Sequence, residues 1–526
     1  MTTCDLRTAP LFPVIDPERG PIIVGLRDLL LHAHRYVDLA VSVPPVEVGM
    51  LRVLYTIAAR ITGLDTIEPG DGSLSAADEW AARRREVVQR GRFDEDAIDA
   101  YLTAHAGRWD LFDPQSPWMQ DPRLAAETDL KSVNVLDPTR PGDNSPIWWR
   151  HTHAGHAPAI PVDEAFGWLV VHHFYGSGGT GGTRRVGTVA SQHMSAGPLR
   201  AALHFSPLAD TLFTTLLAGI PSPASVPDHS GRDIAPWEHT ERHDPLAVPP
   251  DTTWPAGLLV GRSRHALLLV PDDAGETVTG CYLTWAWKPR HPPCDDPYTI
   301  LDHRNDGTWQ PREASRTRAV WRDVDALLAD RADHHRPAIL TAALSLPDQI
   351  QDSLRVRVHG FDQDRQATNV GWFTGSTPPL IAYMSEHDPV RATGAADLHA
   401  AAEDTAAVLR SALRTAYRSL GTGEPPKKPI MADVPWIEPA ETHYWPAAGT
   451  QFWQRIRAAD FAEPYHAMLP IALAALAAAT RHLEHEPAVT REVTKAARYL
   501  RNFAHKKNPR TPKAAPTDQE TLDAQQ

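Results

Sequence analysis

The stretch VDEAFGWLVVHHFYGSGGTGGTRR, residues 162–185, decides which folds are open to this chain. Residues 162–175 are an apolar run that predicts a helix, and five glycines follow within residues 176–182. A P-loop needs a strand before its glycines and a GK[ST] ending, and a dinucleotide-binding fingerprint needs a preceding strand and an acid about 20 residues later. Here a helix precedes the glycines and the segment ends in GGTRR. The sequence therefore argues against both nucleotide-binding folds.

The glycine segment leaves two other interpretations open. Its composition is typical of a flexible linker. Alternatively, it is a surface on which the main chain touches another molecule, because a residue without a Cβ allows close approach. Arg184 and Arg185 follow directly and favour an anionic partner.

The length and charge of the chain limit what it can do alone. Its 526 residues predict two or three domains. The formal net charge is −13, whereas proteins that bind nucleic acid on their own are usually basic. We therefore expect any contact with nucleic acid to use local basic patches, inside a larger assembly that supplies most of the positive charge.

Cysteine content and apolar runs bear on the compartment. Three cysteines provide no disulfide framework, which suits a reducing cytoplasm. The first ten residues contain an acid and no apolar core of a signal peptide. The most apolar run, residues 468–480, is too short to span a bilayer. We expect a cytoplasmic protein with no membrane partner.

The hydrophobic pattern predicts an α+β fold. Residues 11–39 have the pattern strand, turn, strand, helix, and residues 46–63 form a predicted helix that ends at Gly63. Runs rich in Val, Leu, Tyr and Trp between residues 254 and 375 predict antiparallel strands. Four helical segments after residue 385 predict a bundle. We expect a large mixed N-terminal domain with antiparallel strands (residues 1–380), a C-terminal four-helix bundle (385–507) and a disordered tail (508–526).

Histidine-rich stretches raise the alternative of a metal-dependent phosphohydrolase. The 26 histidines include a group within residues 151–156 and a pair within residues 482–485. No carboxylate cluster accompanies them, although a zinc site needs further ligands and an outer shell. The pairs His243-Asp244 and His387-Asp388 each precede a proline, which disfavours the helix that HD-type phosphohydrolases need. We expect no catalytic residues, no bound metal and no cofactor.

Basic residues recur at helical spacing in two of the C-terminal segments. The spacing places each set on one helix face, where it is either solvated or in contact with a polyanion. The two basic stripes are Arg410, Arg414 and Arg418, and Arg491, Lys495 and Arg498.

Taken together, the ordered motifs of the chain resemble the CasA family, the large subunit of the type I-E CRISPR surveillance complex (Cascade). The resemblance covers nearly the whole chain and rests on the order and spacing of its motifs. These are LFPVIDPERGPIIVGLRDLL (11–30), WDLFDPQSPWMQ (109–120), the helix that leads into GSGGTGG (176–182), WAWKPRHPPC (285–294), FDQDRQATNVGW (361–372) and the four-helix C-terminus.

The resemblance implies a subunit that binds and deforms DNA without catalysis. Proteins of the family recognise the protospacer-adjacent motif (PAM) from the minor groove, open the duplex beside it and offer a docking surface to the helicase-nuclease. The implied partners are the other Cascade subunits, the CRISPR RNA, double-stranded target DNA and that helicase-nuclease. A purely structural assembly subunit, with the glycines as a linker, is the alternative.

Two groups of DNA-contacting residues follow from the resemblance. The family's glycine loop, which lies in the minor groove, resembles Gly176, Ser177, Gly178 and Gly179. The family's wedge hairpin, whose glutamine enters the duplex after the PAM, resembles the segment DRQAT. Gln366 would be the wedge, with Asp364 and Arg365 beside it.

The sequence departs from the family at a third element. A lysine that reaches the PAM is missing from GCYLTWAW (280–287), so Lys288 or Arg290 is its candidate replacement, with Arg184 and Arg185 as further candidate DNA contacts. The family's contact with the RNA handle would fall on Asn134, Val135 and Leu136. Cysteine pairs that suggest zinc in some relatives have no counterpart here, which again predicts no metal.

Overall fold

The protein divides into two compact units in the computed structural model. The first unit comprises Met1–Val320 and Ala329–Ala382, and the second comprises Trp321–Leu328 and Tyr383–Gln526. The structure describes residues 3–66, 75–141, 157–225, 232–315, 318–364, 368–420 and 434–508. The expected tail therefore lies outside the described residues, apart from Asn508.

Helices and antiparallel strands make up the described chain, which confirms the predicted α+β class. The strands are β1 (Phe12–Asp16), β2 (Gly20–Val24), β3 (Asp38–Leu39), β4 (Lys131–Ser132), β5 (Ile160–Pro161), β6 (Gly179–Val186), β7 (Val189–Met194), β8 (Leu203–Leu208), β9 (His265–Pro271), β10 (Thr277–Trp285), β11 (Leu301–His303), β12 (Trp309–Pro311), β13 (His334–His335), β14 (Arg355–Asp364) and β15 (Thr368–Ser376). The helices are α1 (Leu26–His32), α2 (Pro44–Thr62), α3 (Ala76–Arg90), α4 (Glu95–Ala104), α5 (Leu124–Glu127), α6 (Val162–Tyr175), α7 (Leu212–Ala218), α8 (Ala256–Leu259), α9 (Val324–Leu328), α10 (Ala338–Ala343), α11 (Asp348–Ser353), α12 (Pro389–Leu420), α13 (Ile437–Ala458), α14 (Pro464–Thr480) and α15 (Pro487–Lys507).

The N-terminal elements follow their sequence pattern. β1 and β2 form an antiparallel hairpin, and α1 begins two residues later. α2 ends at Gly63, whose φ of 67° is left-handed, so the glycine terminates the helix as predicted. α2 is buried along almost its whole length and forms the centre of the first unit.

Close packing between α2 and α6 fixes the helix that leads into the glycine segment. A Cβ on Gly49 of α2 would lie 2.3 Å from Cγ1 of Val170, and a Cβ on Gly167 of α6 would lie 3.1 Å from Val46. Arg52 of α2 extends from this contact, with an ion pair of 2.7 Å to Asp296. These contacts hold α6 as a rigid support for the residues that follow it.

The glycine segment itself is largely a strand, which the sequence did not predict. From Gly179 onward it forms β6, which pairs with β7 around the turn at residues 187–188. The pairing is irregular between Thr180 and Arg184, where the register shifts. The linker interpretation fails from Gly179 onward, because these residues belong to a β-hairpin.

Three sheets of the first unit carry the segments predicted as strands. β10 pairs with β9, β4 and β5, and β14 pairs with β15 and β8. β11 pairs with β12 and β13. One element differs from expectation, since residues 256–259 form the short helix α8 ahead of β9 and not a strand.

The second unit is built from the helices α12–α15, with α9 packed against α12. Trp321 packs against Gly449 of α13, where the lack of a side chain makes room for the indole. A Cβ on Gly449 would lie 2.6 Å from Nε1 of Trp321. Arg322 forms an ion pair of 2.6 Å with Glu403 and lies over the ring of Trp445 at 3.7 Å. No helix among the described residues is both long and apolar enough to cross a bilayer.

A histidine between two carboxylates predicts that the second unit loses stability at alkaline pH. His399 Nδ1 lies 3.2 Å from Asp325 and its Nε2 lies 3.6 Å from Glu403. Burial lowers the pKa of His399, but the two carboxylates outweigh this effect and raise the pKa to about 9. Because the pKa of His399 is higher in the folded protein than the value of about 6.5 in the unfolded chain, protonation of His399 stabilises the fold. This stabilisation is complete below about pH 6.5 and is lost as pH rises through about 9.

The measurement is hydrogen exchange of the α12 amides at pH 7 and pH 10, corrected for intrinsic rates. We expect wild-type protection to fall by about tenfold or more across this range, and the fall to be absent in His399→Gln. His443→Gln on α13, where the histidine is exposed, is the control and should behave as wild type. An identical fall in both variants would contradict the assignment.

Candidate nucleic-acid interface

Internal packing explains the first glycine of the predicted DNA-binding loop. Gly176 is buried at the end of α6, where an added Cβ would lie 1.8 Å from Nδ1 of His265. Its carbonyl accepts a hydrogen bond of 2.9 Å from the amide of Gly197. The missing side chain thus makes room for a histidine of the same chain. The expected DNA contact of Gly176 is not retained.

The next three residues form an accessible lip at the start of β6. Ser177 is partly exposed and accepts a hydrogen bond of 3.0 Å from Arg200. Gly179 has a φ of 125°, a conformation that L side chains rarely adopt, and nothing lies within 4 Å of the position of an added Cβ. A glycine is therefore required at residue 179 by its backbone, while the space in front of it is open.

A cleft of about 360 Å³ runs along this lip. Gly178 and Gly179 line one part of it, and residues 193–196 of the β7 end, Arg264, Trp287 and Arg290 line the rest. The sequence spacing of these groups is large, and the pairing of β10 with β9 brings them together. The cleft joins the glycine segment to the WAWKPRH stretch, two of the motifs that carry the family resemblance.

Positive charge in the cleft is not neutralised by acids. Arg264 donates to the carbonyl of Ala196 at 2.7 Å, and neither Arg264 nor Arg290 has an ion-pair partner among the described residues. Burial and the positive charges of Arg262 and Arg290 lower the pKa of Arg264. In a chain of net charge −13, this local excess of positive charge is a feature that suits an anionic partner.

Of the two candidates for the missing lysine, Arg290 lies nearer the glycines. Arg290 lines the cleft together with Gly178 and Gly179. Lys288 is exposed outside the cleft, where its Nζ lies 5.7 Å from the ring centroid of Trp285 and 2.7 Å from Oγ of Ser191 on β7. Both residues therefore border the β6–β7 hairpin, and of the two only Arg290 lines the cleft with the glycines.

Arg184 has a structural role, which corrects its interpretation as a DNA contact. Its side chain is 0% exposed and forms ion pairs of 2.8 Å with Asp121 and 2.6 Å with Glu127. The guanidinium also donates to the carbonyl of Trp285 at 3.0 Å. Side chains alternate along β6, so the neighbouring Arg185 points outward and is exposed. Arg185 remains a predicted contact and Arg184 does not.

The second predicted DNA-binding element is an antiparallel hairpin formed by β14 and β15. Asp364 pairs with Thr368, so the hairpin tip comprises residues 365–367; Arg365 and Gln366 lie outside the described residues. At the base of the hairpin, Gln363 donates to the carbonyl of Tyr175 at 3.5 Å. Tyr175 is the last residue of α6. The hairpin is therefore anchored directly before the glycine segment, and the structure brings the two elements together.

The family model for the CRISPR-associated protein Cse1 matches residues 5–486. The chain belongs to the Cse1 family. This confirms the resemblance to CasA that the ordered motifs indicate.

Relatives of this Cse1-family chain are found among curated proteins and solved structures. The CRISPR-associated protein CasA/Cse1 of Thermus thermophilus is 27% identical over 364 residues, which span 65% of this chain and 63% of that protein's length. A solved chain described as belonging to a CRISPR RNA-guided surveillance complex is 32% identical, with a TM-score of 0.84 over 95% of this chain and 100% of that one. Thermobifida fusca Cse1 has a TM-score of 0.73 at 19% identity over 97% of this chain and 98% of its own, which shows a shared fold.

The residues predicted to contact the RNA handle are mostly interior in this member of the Cse1 family. Asn134 is 3% exposed and donates to the carbonyl of Pro141 at 3.2 Å. Leu136 is fully buried, and its carbonyl lies 2.9 Å from Nε2 of His172 on α6. Only Val135 is partly exposed. Side-chain contacts of Asn134 and Leu136 with RNA are therefore not retained, because both side chains are buried in the interior of the first unit.

The basic stripe on α12 is partly neutralised within the second unit. Arg410 forms an ion pair of 2.5 Å with Glu441 of α13. Arg414 is partly buried, and Arg418 is exposed near the end of the helix. This stripe is a weaker candidate for a polyanion contact than its spacing in the sequence suggests.

The basic stripe on α15 is more exposed. Arg491 is 69% exposed and Lys495 is 55% exposed, and both share the carboxylate of Glu492, at 3.5 Å and 2.8 Å. Arg498 is exposed one turn further along. With one acid for three bases, α15 keeps a net positive face, and its contact with a polyanion stays a prediction.

The histidine stretches give no support to a metal centre. Residues 151–156 lie outside the described residues, and His482 and His485 are exposed. His243 stacks on Trp287 with a centroid distance of 4.0 Å. Among the described residues there is no group of three or more His, Cys, Asp or Glu side chains that could hold a metal ion.

Sequence reasoning missed Arg264, Trp287 and His291, which line the cleft with the glycines. Trp287 and His291 lie in the motif WAWKPRHPPC, so their closeness in sequence to the candidate Lys288 could have indicated that they belong to the site. Arg264 had no signal in the sequence, because its place in the cleft depends on the register of β9 against β10.

Proposed function

We propose that this chain is the subunit of a CRISPR RNA-guided surveillance complex that recognises the PAM through the minor groove and starts duplex opening. Two solved relatives, each 32% identical to this chain, belong to a CRISPR RNA-guided surveillance complex. In such systems guide pairing reads the sequence and a protein subunit checks a short motif. The proposal gives the chain a binding role with no chemical step, in the cytoplasm, together with the other Cascade subunits and the CRISPR RNA.

One observation carries the proposal: the Gly178–Gly179 lip lies on a cleft whose arginines have no acidic partner among the described residues. The minor groove is about 6 Å wide, so a main chain without side chains fits where larger residues would clash. Arginines beside the lip suit the negative potential of that groove. A minor-groove contact also distinguishes base pairs poorly, so the subunit should accept several related motifs.

The hairpin β14–β15 supports the duplex-opening step. Gln363 at its base donates a hydrogen bond to the main-chain carbonyl of Tyr175, the residue before the glycine segment. The ring of Phe361 also packs edge-to-face against the ring of Tyr175, with a centroid distance of 6.4 Å. A wedge must be rigid relative to the groove contact, because unstacking a base step costs a few kcal/mol that the protein has to transmit. Attachment of both elements to the end of α6 provides that rigidity.

Substitution of the wedge residue should uncouple binding from opening. In a complex reconstituted with Gln366→Ala, we expect PAM-dependent binding to change by less than about threefold, while permanganate reactivity of thymines beside the PAM falls by about tenfold, since a few kcal/mol of unstacking is no longer supported. The control is Gln310→Ala, an exposed glutamine in the β11–β12 hairpin. Normal permanganate reactivity in Gln366→Ala would overturn the wedge assignment.

Recruitment of the helicase-nuclease is the last part of the proposal. The exposed basic face of α15 provides a surface of the second unit that remains available for a polyanionic strand or an acidic partner surface. The net charge of the whole chain disfavours tight DNA binding in isolation, so we propose that recognition and recruitment take place only within the assembled complex.

A further inference from the structure

A second cavity opens beside the glycine-lined cleft. It has a volume of about 470 Å³ and shares two lining residues, Trp287 and His291, with that cleft. Pockets that bind small molecules usually measure about 300–1,000 Å³ and combine aromatic walls with a few polar groups. The size of the cavity and its shared wall suit a small ligand that arrives from the cleft.

Five arginines line this cavity, and four of them, Arg108, Arg232, Arg242 and Arg262, have no ion-pair partner among the described residues. Arg108 donates to Oγ of Ser116 at 2.6 Å, and Arg242 donates to the carbonyl of Gln115. Arg262 donates to two main-chain carbonyls, at 3.1 Å and 3.3 Å. These neutral partners orient the guanidinium groups. Asp121, Glu241 and Asp251 also line the cavity, so five arginines face three carboxylates, and this excess of positive charge suits a phosphate.

The effect of this positive charge is visible at the shared wall. Burial, together with the positive charges of Arg262 and Arg264, lowers the pKa of His291 to about 4. His291 is therefore neutral at pH 7, and its Nε2 is enclosed without a hydrogen-bond partner among the described residues. A neutral imidazole with an unused nitrogen can donate to or accept from a polar ligand atom.

Trp287 is the partly exposed ring of this cavity, whereas Trp118 and Trp237 are almost fully buried and only border it. Trp118 and Trp237 stack at a centroid distance of 5.8 Å and an angle of 20°, and both line the cavity with Trp287. Trp118 is 1% exposed, and its Nε1 has no hydrogen-bond partner in the described chain. A buried indole N–H usually finds an acceptor, so a ligand with ring heteroatoms would complete this wall.

We propose that the cavity binds one nucleotide unit, with its base against Trp287 and its phosphate on Arg108 and Arg242. Aromatic faces and arginines are the groups with which proteins hold an unpaired nucleotide irrespective of its base. The same chemistry can come from a free nucleotide or from a nucleotide of the DNA strand displaced beside the Gly178–Gly179 lip. The shared wall favours the displaced strand, and this source rests on the proposed function.

The first test uses deoxyadenosine 5′-monophosphate as a probe and the full-length chain in isothermal titration calorimetry. We expect measurable binding to the wild type, weakened by about tenfold or more in Arg108→Gln and in Arg242→Gln. The control is Arg331→Gln, an exposed arginine outside the cavity, which should bind as wild type. Arg242 is exposed, so its substitution should leave the fold intact and keep the test decisive.

The second test distinguishes the source of the nucleotide. The reconstituted complex is titrated with the same probe before and after it binds a PAM-containing duplex. Loss of probe binding on duplex addition supports the displaced strand, and retained binding supports a free nucleotide. If the wild-type chain and complex bind no probe while the complex still binds the duplex in a PAM-dependent manner, the cavity proposal is overturned and the proposed function stands. If the complex binds the duplex without PAM dependence but the probe still binds and Arg242→Gln weakens that binding, the proposed function is overturned and the cavity proposal stands.

Discussion

A surveillance complex that contains the Gly179→Ala variant is expected to bind a PAM-containing duplex at least about tenfold more weakly than the wild-type complex, a change of about 1.4 kcal/mol. Gly179 has a φ of 125° and faces open space at the edge of the cleft. A methyl group there both disfavours the backbone conformation and projects toward the partner. Binding to a duplex without a PAM should be unchanged, because that binding depends on phosphate contacts.

The control separates backbone strain from loss of contact. Gly307, in the turn between β11 and β12, also has a positive φ, 82°, and nothing within 4 Å of an added Cβ. Gly307→Ala thus also places a side chain at a positive φ but away from the cleft, and its complex should bind the PAM duplex as wild type does. Equal losses of affinity in the two variants, measured by filter binding at fixed salt concentration, would contradict a groove contact by the lip.

Local sequence patterns predicted the elements whose stability is local. The strand–turn–strand–helix pattern of residues 11–39, the glycine that ends α2 and the apolar helix α6 all depend on neighbours in sequence, and all are present. β6 was not predicted, because glycine disfavours strands and nothing in its own residues marks a strand. It forms because β7 pairs with it and because Gly182 packs against Thr128, where no Cβ fits.

The candidate site was predictable only where a motif marked it. The ordered motifs singled out Gly178, Gly179 and the β14–β15 hairpin, and the structure anchors both elements at the end of α6. Arg264 joins them through strand register, and the partners of Arg184 lie more than 50 residues away in sequence, with separations of 63 and 57. Two adjacent arginines look equivalent in a sequence, and only the strand alternation together with distant acids decides which one is buried.

Replacement of that buried arginine should be the most destabilising of the changes considered for the first unit. In Arg184→Met, Asp121 and Glu127 lose the cation between them, while their side chains stay 10% and 19% exposed. Removing one partner of a buried ion pair costs about 3–5 kcal/mol. We expect a loss of that size in the free energy of unfolding in urea at pH 7, whereas the exposed Arg185→Met, one residue away, should change it by less than about 0.5 kcal/mol.

The pH dependence of this loss tests its cause. Although burial raises it, hydrogen bonds from Arg123 and the positive charge of Arg184 hold the pKa of Asp121 below its usual value. Because the pKa of Asp121 is lower in the folded protein than the value of about 3.9 in the unfolded chain, its ionised carboxylate stabilises the fold above about pH 3.9. This stabilisation is lost as pH falls through the pKa of the folded state. Without Arg184 that depression is smaller, so the difference between variant and wild type should stay constant from pH 7 to about 4 and narrow as pH falls further, through the folded pKa values of Asp121. A difference that also stays constant below about pH 4 would show that lost packing of the Arg184 stem, and not the loss of its positive charge beside Asp121, causes the destabilisation.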